Sequence, residues 1–286
     1  MIVLSPLHTA PLLAARASGA SIAHASPDLG LTLVPVHITP EGVSFPDEPP
    51  FPWSAIDSIC RHAGRNPAAG SPCYLIRDAA AGRISVFSEH TGRVCSLAAT
   101  GSAPTIVLAG FPMHRIKGTD PLRDTRLKLR AVAPVTGRVL DTTTGLGYTA
   151  IEAARTAAEV VTIELDPAVL AVARLNPWSR PLFESKAITQ LIGDSATVIK
   201  RFDDGAFARV VHDPPTVALA GDLYAETFYR QLHRVLKRGG KLFHYVADPR
   251  SHTGRRTLAG VTRRLHAAGF TRIRERPEAF GLVAIR

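Results

Sequence analysis

Val139-Leu140-Asp141-Thr142-Thr143-Thr144-Gly145-Leu146-Gly147-Tyr148 reads as a short apolar strand ending on a carboxylate, a turn with two glycines, and the start of a helix. Glycine in such a turn permits positive φ and close approach of a ligand, and the helix after it presents N–H groups without intrahelical partners. A lone Gly-x-Gly turn also serves packing, so its meaning depends on the next strand. Val160-Val161-Thr162-Ile163-Glu164-Leu165-Asp166 is that second apolar strand, and Glu164 at its end lies 23 positions after Asp141. That is close to the ~20 residues that separate a glycine loop from an acid that accepts ribose hydroxyls. Asp166, directly before Pro167, instead suits the N-cap of the next helix.

A third strand ends Leu191-Ile192-Gly193-Asp194-Ser195, and a fourth ends Val210-Val211-His212-Asp213-Pro214-Pro215-Thr216. Acids thus fall at successive strand ends, on the carboxyl edge where open α/β sheets bind ligands. Two readings stand for Asp194: acceptor for an adenine amino group, or cap of the adjoining helix. His212 and Asp213 alternate to opposite faces if the strand runs that far, which makes His212 a strand-end residue rather than a general base.

Outward from these motifs, strands are expected at 138–142, 160–164, 189–193, 208–212 and 241–246, with a late pair near 272–275 and 282–285. Helices are expected near 148–156, 167–175, 195–201, 223–236 and 256–268. Thr119 or Asp120 caps a further helix with Pro121 at its first position and Lys128 and Arg130 in its last turn. Strand and helix alternate as in repeated βαβ units around a parallel sheet. Residues 1–113 differ: short β-rich runs at 31–38, 73–76, 84–88 and 105–108, broken by Pro and Gly, with one helix from about Ser54. They read as a small α+β domain, an accessory or substrate-recognition domain ahead of a catalytic domain at 114–286.

The 286 residues are 45% hydrophobic and 20% charged, enough to bury a sizeable core and too polar throughout for a membrane protein. Residues 1–25 lack a basic leader and are interrupted by His8, Pro11 and Arg16, so no signal peptide is expected. Cys60, Cys73 and Cys95 form no C-x-x-C pair, so neither a disulfide framework nor a zinc site is expected, and a reducing cytoplasm fits. Residues 1–113 carry 6 Lys and Arg against 7 Asp and Glu, whereas residues 114–286 carry 28 against 17. The net charge of +10 therefore sits with the second half, and favours a polyanionic partner there.

The order of these motifs resembles that of class I S-adenosylmethionine-dependent methyltransferases, over roughly residues 114–286. The strings Asp141 to Ala150, Asn176-Pro-Trp-Ser-Arg180, His212-Asp-Pro-Pro215 and Met113-His-Arg-Ile-Lys-Gly-Thr-Asp-Pro121 further resemble uncharacterised, mainly archaeal predicted methyltransferases with an extra N-terminal domain. The resemblance implies a Rossmann-like seven-stranded α/β sheet, S-adenosyl-L-methionine as cofactor, and no metal. It assigns Asp141, Thr144, Gly145 and Gly147, with Tyr148 beside them, to the methionine end of the cofactor, Glu164 to the ribose, and Asp194 with Ser195 to the adenine. One departure is Thr143, which stands at the first position of the usual Gly-x-Gly-x-Gly loop.

Asp213-Pro214-Pro215 resembles the turn of methyltransferases that act on exocyclic amino groups of nucleobases or on amide nitrogens. Two prolines fix φ twice and remove two N–H donors, leaving acceptors for an amine: the Asp213 carboxylate and the Pro214 carbonyl. Thr216 stands where that motif has an aromatic residue, and Tyr224, Phe228 and Trp178 are substitutes that core packing also explains. Arg250 to Arg256 with Arg263 and Arg264, and Lys117, Arg123, Arg126, Lys128 and Arg130, are two basic stretches suited to phosphates. The expected activity is N-methylation of an RNA base. Transfer to a protein side chain or small amine, and a non-catalytic RNA-binding factor that keeps a cofactor pocket, are the alternatives. Aminopropyl transfer uses a related fold, but the sequence shows no acidic channel for a polyamine.

Overall fold

The computed structural model describes residues 1–61 and 70–286. Its Cα packing separates two compact units, residues 1–122 with 168–180, and residues 123–167 with 181–286.

The second unit is built on one seven-stranded sheet. Numbered within that sheet, its strands are β1 (Arg138–Asp141), β2 (Glu159–Glu164), β3 (Ile188–Ile192), β4 (Phe207–His212), β5 (Leu236–Tyr245), β6 (Thr271–Arg276) and β7 (Gly281–Ile285). Their spatial order is β3-β2-β1-β4-β5-β7-β6, the seven-stranded Rossmann-like sheet that the sequence leads one to expect. The strands from β1 to β5 pair in parallel, and β7 pairs antiparallel with both β5 and β6. Strand order reverses between β1 and β4, which opens a crevice at their carboxyl ends.

The apolar runs of β1, β2 and β4 reflect burial on both faces. Leu140, Val161, Val210 and Leu242 join a core with Phe228, Leu232 and Val261 on one side. Val139, Val160, Val211 and Phe243 join another with Leu129, Ala150 and Ala153.

All seven expected strands and the helices between them are present, with shifted ends. The expected helix at 195–201 divides into Ser195–Val198 and a 3-10 turn, Ile199–Arg201; that at 223–236 divides into a 3-10 turn, Gly221–Tyr224, and Glu226–Val235. The last helix starts earlier than expected, at His252, because the Ser251 hydroxyl accepts from the Gly254 amide. Asp120 accepts from the Leu122 amide at 3.0 Å and caps the helix Pro121–Ala131.

Among the described residues, the first unit holds three small antiparallel sheets and, ahead of residue 62, two helices, Pro6–Ala17 and Trp53–Arg61, where the sequence reading has one. Pro11 masks the first of these, since an internal proline breaks the pattern of a helix. Ser5 nonetheless caps it and Pro6 opens it. The segment 168–180 packs with this unit, and there Trp178 Nε1 donates to the Leu29 carbonyl at 3.0 Å. No helix among the described residues is long and apolar enough to cross a membrane.

Candidate active site

The turn after β1 adopts the backbone its glycines allow, with φ of +54° at Gly145 and +79° at Gly147. A Cβ on Gly147 would stand 2.6 Å from the Leu182 side chain, so any larger residue there would have to displace Leu182 as well as take up a positive φ. Asp141 closes β1 and is almost wholly buried. Thr162 Oγ1 donates to Asp141 Oδ2 at 2.8 Å, which leaves the Thr144 hydroxyl to donate to Thr162 at 2.7 Å. Among the described residues, Asp141 Oδ1 is buried without a hydrogen-bond partner. Burial pushes the Asp141 carboxyl up to about 7.

Glu164 ends β2 and reaches back to the same turn. Its Oε2 accepts from the Gly145 amide at 2.8 Å and its Oε1 from the Asp166 amide at 3.1 Å. Two bonds leave acceptor capacity on both oxygens, since a carboxylate has about four lone-pair sites. Burial raises this group too, to about 7. Tyr148, the first residue of the helix Tyr148–Ala153, is buried beneath the turn.

At the end of β3, Asp194 is exposed and caps the helix Ser195–Val198. Its two oxygens accept from the Ala196 amide at 3.1 Å and from Thr197 Oγ1 at 2.9 Å. Ser195 is buried, and its hydroxyl donates to the Thr142 carbonyl, bracing the loop after β1 from the end of β3. Leu165 and Ile192, beside Glu164 and Asp194, are apolar yet exposed by 43% and 63%. The sequence reading passed over both, because a single apolar residue at a strand end reads as core.

The loop after β1 is laced to the turn after β4. Thr143 Oγ1 donates to the Asp213 carbonyl at 2.8 Å, which accounts for threonine at the usual glycine position. Tyr224 OH donates to the Pro215 carbonyl at 3.0 Å. Between these two tied carbonyls, the Pro214 carbonyl takes no hydrogen bond among the described residues. Tyr224 and Phe228 belong to the core, which settles their packing role.

Lys128 supplies a contact that the sequence reading did not contain. Its ammonium lies 2.5 Å from Asp213 Oδ2 and 2.7 Å from Asp124 Oδ2, with its side chain 3% exposed. Expected in a solvent-facing basic stretch, it is instead a buried ion-pair partner of the turn after β4. The i, i+4 spacing of Asp124 and Lys128 was the available signal. Burial works against the Lys128 charge, but the two carboxylates outweigh it and hold its affinity for the proton above the ordinary value.

His212 is fully buried. Its Nε2 donates to the Leu223 carbonyl at 2.9 Å, so Nδ1 accepts from the Thr142 hydroxyl at 2.7 Å. Burial drives it down to about 3, so it is a neutral brace rather than a base. Arg250 of the other basic stretch is likewise engaged, with a two-pronged contact to Asp248 at 2.9 Å. Arg126 and Arg130 keep exposed positions and line, with Arg155 and Glu152, a cavity of about 350 Å³. Among the described residues no cluster of three or more His, Cys, Asp or Glu is arranged to hold a metal ion.

Residues 140–244 match the family described as a methyltransferase domain. An uncharacterised protein of Methanocaldococcus jannaschii, MJ1233, is 49% identical over 185 residues, which is 64% of this chain and 64% of that protein. Among solved structures, a spermidine synthase in complex with the transition-state analogue AdoDATO superposes with TM-score 0.58 at 18% identity, over 75% of each chain. Spermidine synthase from Thermotoga maritima gives 0.56 at 17% identity, over 78% of this chain and 76% of that one. MnmC2 from Aquifex aeolicus gives 0.50 at 18% identity, over 69% and 71%. At such identities these likenesses concern the fold.

Proposed function

We propose, for a chain whose residues 140–244 are a methyltransferase domain with S-adenosylmethionine as cofactor, that the methyl acceptor is an amino nitrogen of an RNA base. The observation that carries the reading is the Thr143 bond to the Asp213 carbonyl, which fastens the cofactor loop to a proline-stiffened pair of acceptors. Bound to the loop, the cofactor supplies a methyl group on cationic sulfur that a nitrogen lone pair can take.

The chain's own groups do the rest by holding and orienting. Glu164 accepts the two ribose hydroxyls with the lone pairs that Gly145 and Asp166 leave. Asp141 Oδ1, Thr144, Gly145, Gly147 and Tyr148 form the cradle for the methionine end, where a buried acceptor without a partner suits an ammonium. Leu165 and Ile192 give the purine an apolar surface, and Asp194 with Ser195 sets the edge of that surface. The Asp213 carboxylate and the Pro214 carbonyl would hold the hydrogens of the target amino group and so turn the nitrogen toward the methyl; the N–C bond would form as the C–S bond breaks to leave a neutral thioether, and the surplus proton on nitrogen would be released from this acceptor side to water. The positive excess of residues 114–286 suits a phosphate-bearing substrate, and residues 1–113 serve in choosing it.

Cofactor affinity is expected to fall as pH falls. Asp141 and Glu164 both sit near 7 by burial, and a ribose or ammonium contact needs the ionised form. Below pH 7 each group that must lose its proton costs up to about tenfold in affinity per pH unit. Calorimetric titration with S-adenosylhomocysteine should give a dissociation constant at least about tenfold weaker at pH 6 than at pH 8, and a flat profile would contradict these roles. The sign for folding is opposite. Raised carboxyls stabilise the cofactor-free fold at low pH, and that contribution is lost as pH rises through about 7.

The reading is tested by incubating the protein with methyl-labelled cofactor and separate total RNA and total protein fractions, then digesting to nucleosides and amino acids. Label in one amino-methylated nucleoside is the expected result. Label confined to protein or to small amines replaces RNA as the substrate, and no transfer to any fraction removes the catalytic reading.

A further inference from the structure

Lys128 lies on the helix Pro121–Ala131, ahead of the sheet, yet its charge is delivered to the turn after β4. It stands between a deeply buried carboxylate, Asp124, and a partly exposed one, Asp213, whose side chain is 22% exposed. The ring of Tyr245 covers it, with the ammonium 5.0 Å from the ring centroid. Asp213 therefore meets a substrate with a fixed cation already on it, in surroundings where charges are poorly screened.

This arrangement treats two kinds of nitrogen differently. An aliphatic amine arrives as an ammonium, and would add a second cation to the carboxylate that Lys128 occupies. It also carries no lone pair until a proton leaves, and an uncompensated carboxylate would help to keep that proton on. An amino group on a heteroaromatic ring arrives uncharged, asks only for hydrogen-bond acceptors, and meets no repulsion from Lys128.

Building on the methyl-transfer reading above, we propose that Lys128 makes the Asp213-Pro214 acceptor selective for the uncharged amino group of a nucleobase, against aliphatic ammonium groups such as those of lysine side chains and polyamines. The contact that carries the proposal is the 2.5 Å ion pair between Lys128 and Asp213. Asp124 sets its strength, because it shares the Lys128 charge from the other side.

The test needs no substrate. Two cofactor analogues, S-adenosylhomocysteine and sinefungin, differ at the transferring centre: the first has a neutral thioether, the second an amine-bearing carbon in place of the methyl-bearing sulfur. The ratio of their dissociation constants, measured by calorimetry at pH 7.5, reads how well the acceptor turn receives an ammonium. Lys128→Met is expected to raise the preference for sinefungin at least tenfold. Asp124→Asn, which leaves the whole Lys128 charge on Asp213, is expected to lower it several-fold. S-adenosylhomocysteine affinity should stay within about twofold in both. A purely structural role would move both dissociation constants together and leave the ratio alone. A ratio that stays constant, or shifts the same way in the two variants, overturns the proposal. If Lys128→Met fails to fold with Asp124 left unpaired, the Asp124→Asn arm decides alone, and an unchanged ratio there overturns it. If neither analogue binds the wild-type protein, the cofactor reading itself falls.

Discussion

Asp213→Ala is expected to lower methyl transfer by at least about a hundredfold while S-adenosylhomocysteine affinity stays within about twofold. Loss of one fixed group that acts on the reacting centre costs ~10²–10³ in rate where catalysis is mainly positioning. The cradle has supports of its own, with Asp141 held by Thr162 and Glu164 by the amides of Gly145 and Asp166, and removing the Asp213 charge takes away one of the influences that raise the Asp141 carboxyl, which favours its ionised form. The fold also survives the change, because Asp124 still pairs with Lys128 at 2.7 Å and Thr143 still bonds the backbone carbonyl of position 213. Single-turnover transfer to RNA, with calorimetry on the same preparation, separates the two quantities. A variant that transfers methyl at the wild-type rate would remove Asp213 from the acceptor, and equal losses in rate and affinity would make it a support of the cofactor loop instead.

Glu164→Ala should have the larger effect on binding. Two charge-assisted hydrogen bonds to ribose, at about 1.5–3 kcal/mol each, correspond to a loss of at least about a hundredfold in cofactor affinity. The same change strips an acceptor from the Gly145 and Asp166 amides, and the glycine turn loses its tie to β2. Stability should fall by about 1–3 kcal/mol on that account, less at pH 8 than at pH 5. The difference arises because the native carboxylate is itself costly when ionised, with burial holding it near 7. Calorimetry and thermal melts at both pH values check the pair of effects. Retained affinity for S-adenosylhomocysteine would exclude Glu164 as the ribose acceptor.

The parts of this molecule that were legible in the sequence are those written in short spans. Apolar runs bounded by turn residues marked the strands, and capping residues such as Asp120 and Asp194 marked helix starts. The glycines at 145 and 147 marked a turn whose φ values only glycine takes up readily. Pro214 and Pro215 announced a stiff exit from β4. Of the two roles the sequence left balanced for Asp194, the helix cap is formed, and His212, read as a strand-end residue, is a buried brace with both ring nitrogens engaged. The helix Pro6–Ala17 was hidden by Pro11, a case where capping at Ser5 and tertiary packing override a local breaker.

By itself, the sequence determined a parallel α/β sheet with acids at its carboxyl edge, since backbone propensity and hydrophobic period are properties of neighbouring residues. Only the tertiary structure decided which distant groups share that edge. Thr143 and Asp213 are 70 positions apart, and Lys128 and Asp213 are 85 apart. No local pattern distinguishes a lysine that ends a helix in solvent from one buried between two carboxylates. The difference lies in the pairing of β1 with β4 and in how the preceding helix packs on the sheet, and there a residue that looked like one more surface cation becomes the counterion of Asp213 in the turn after β4.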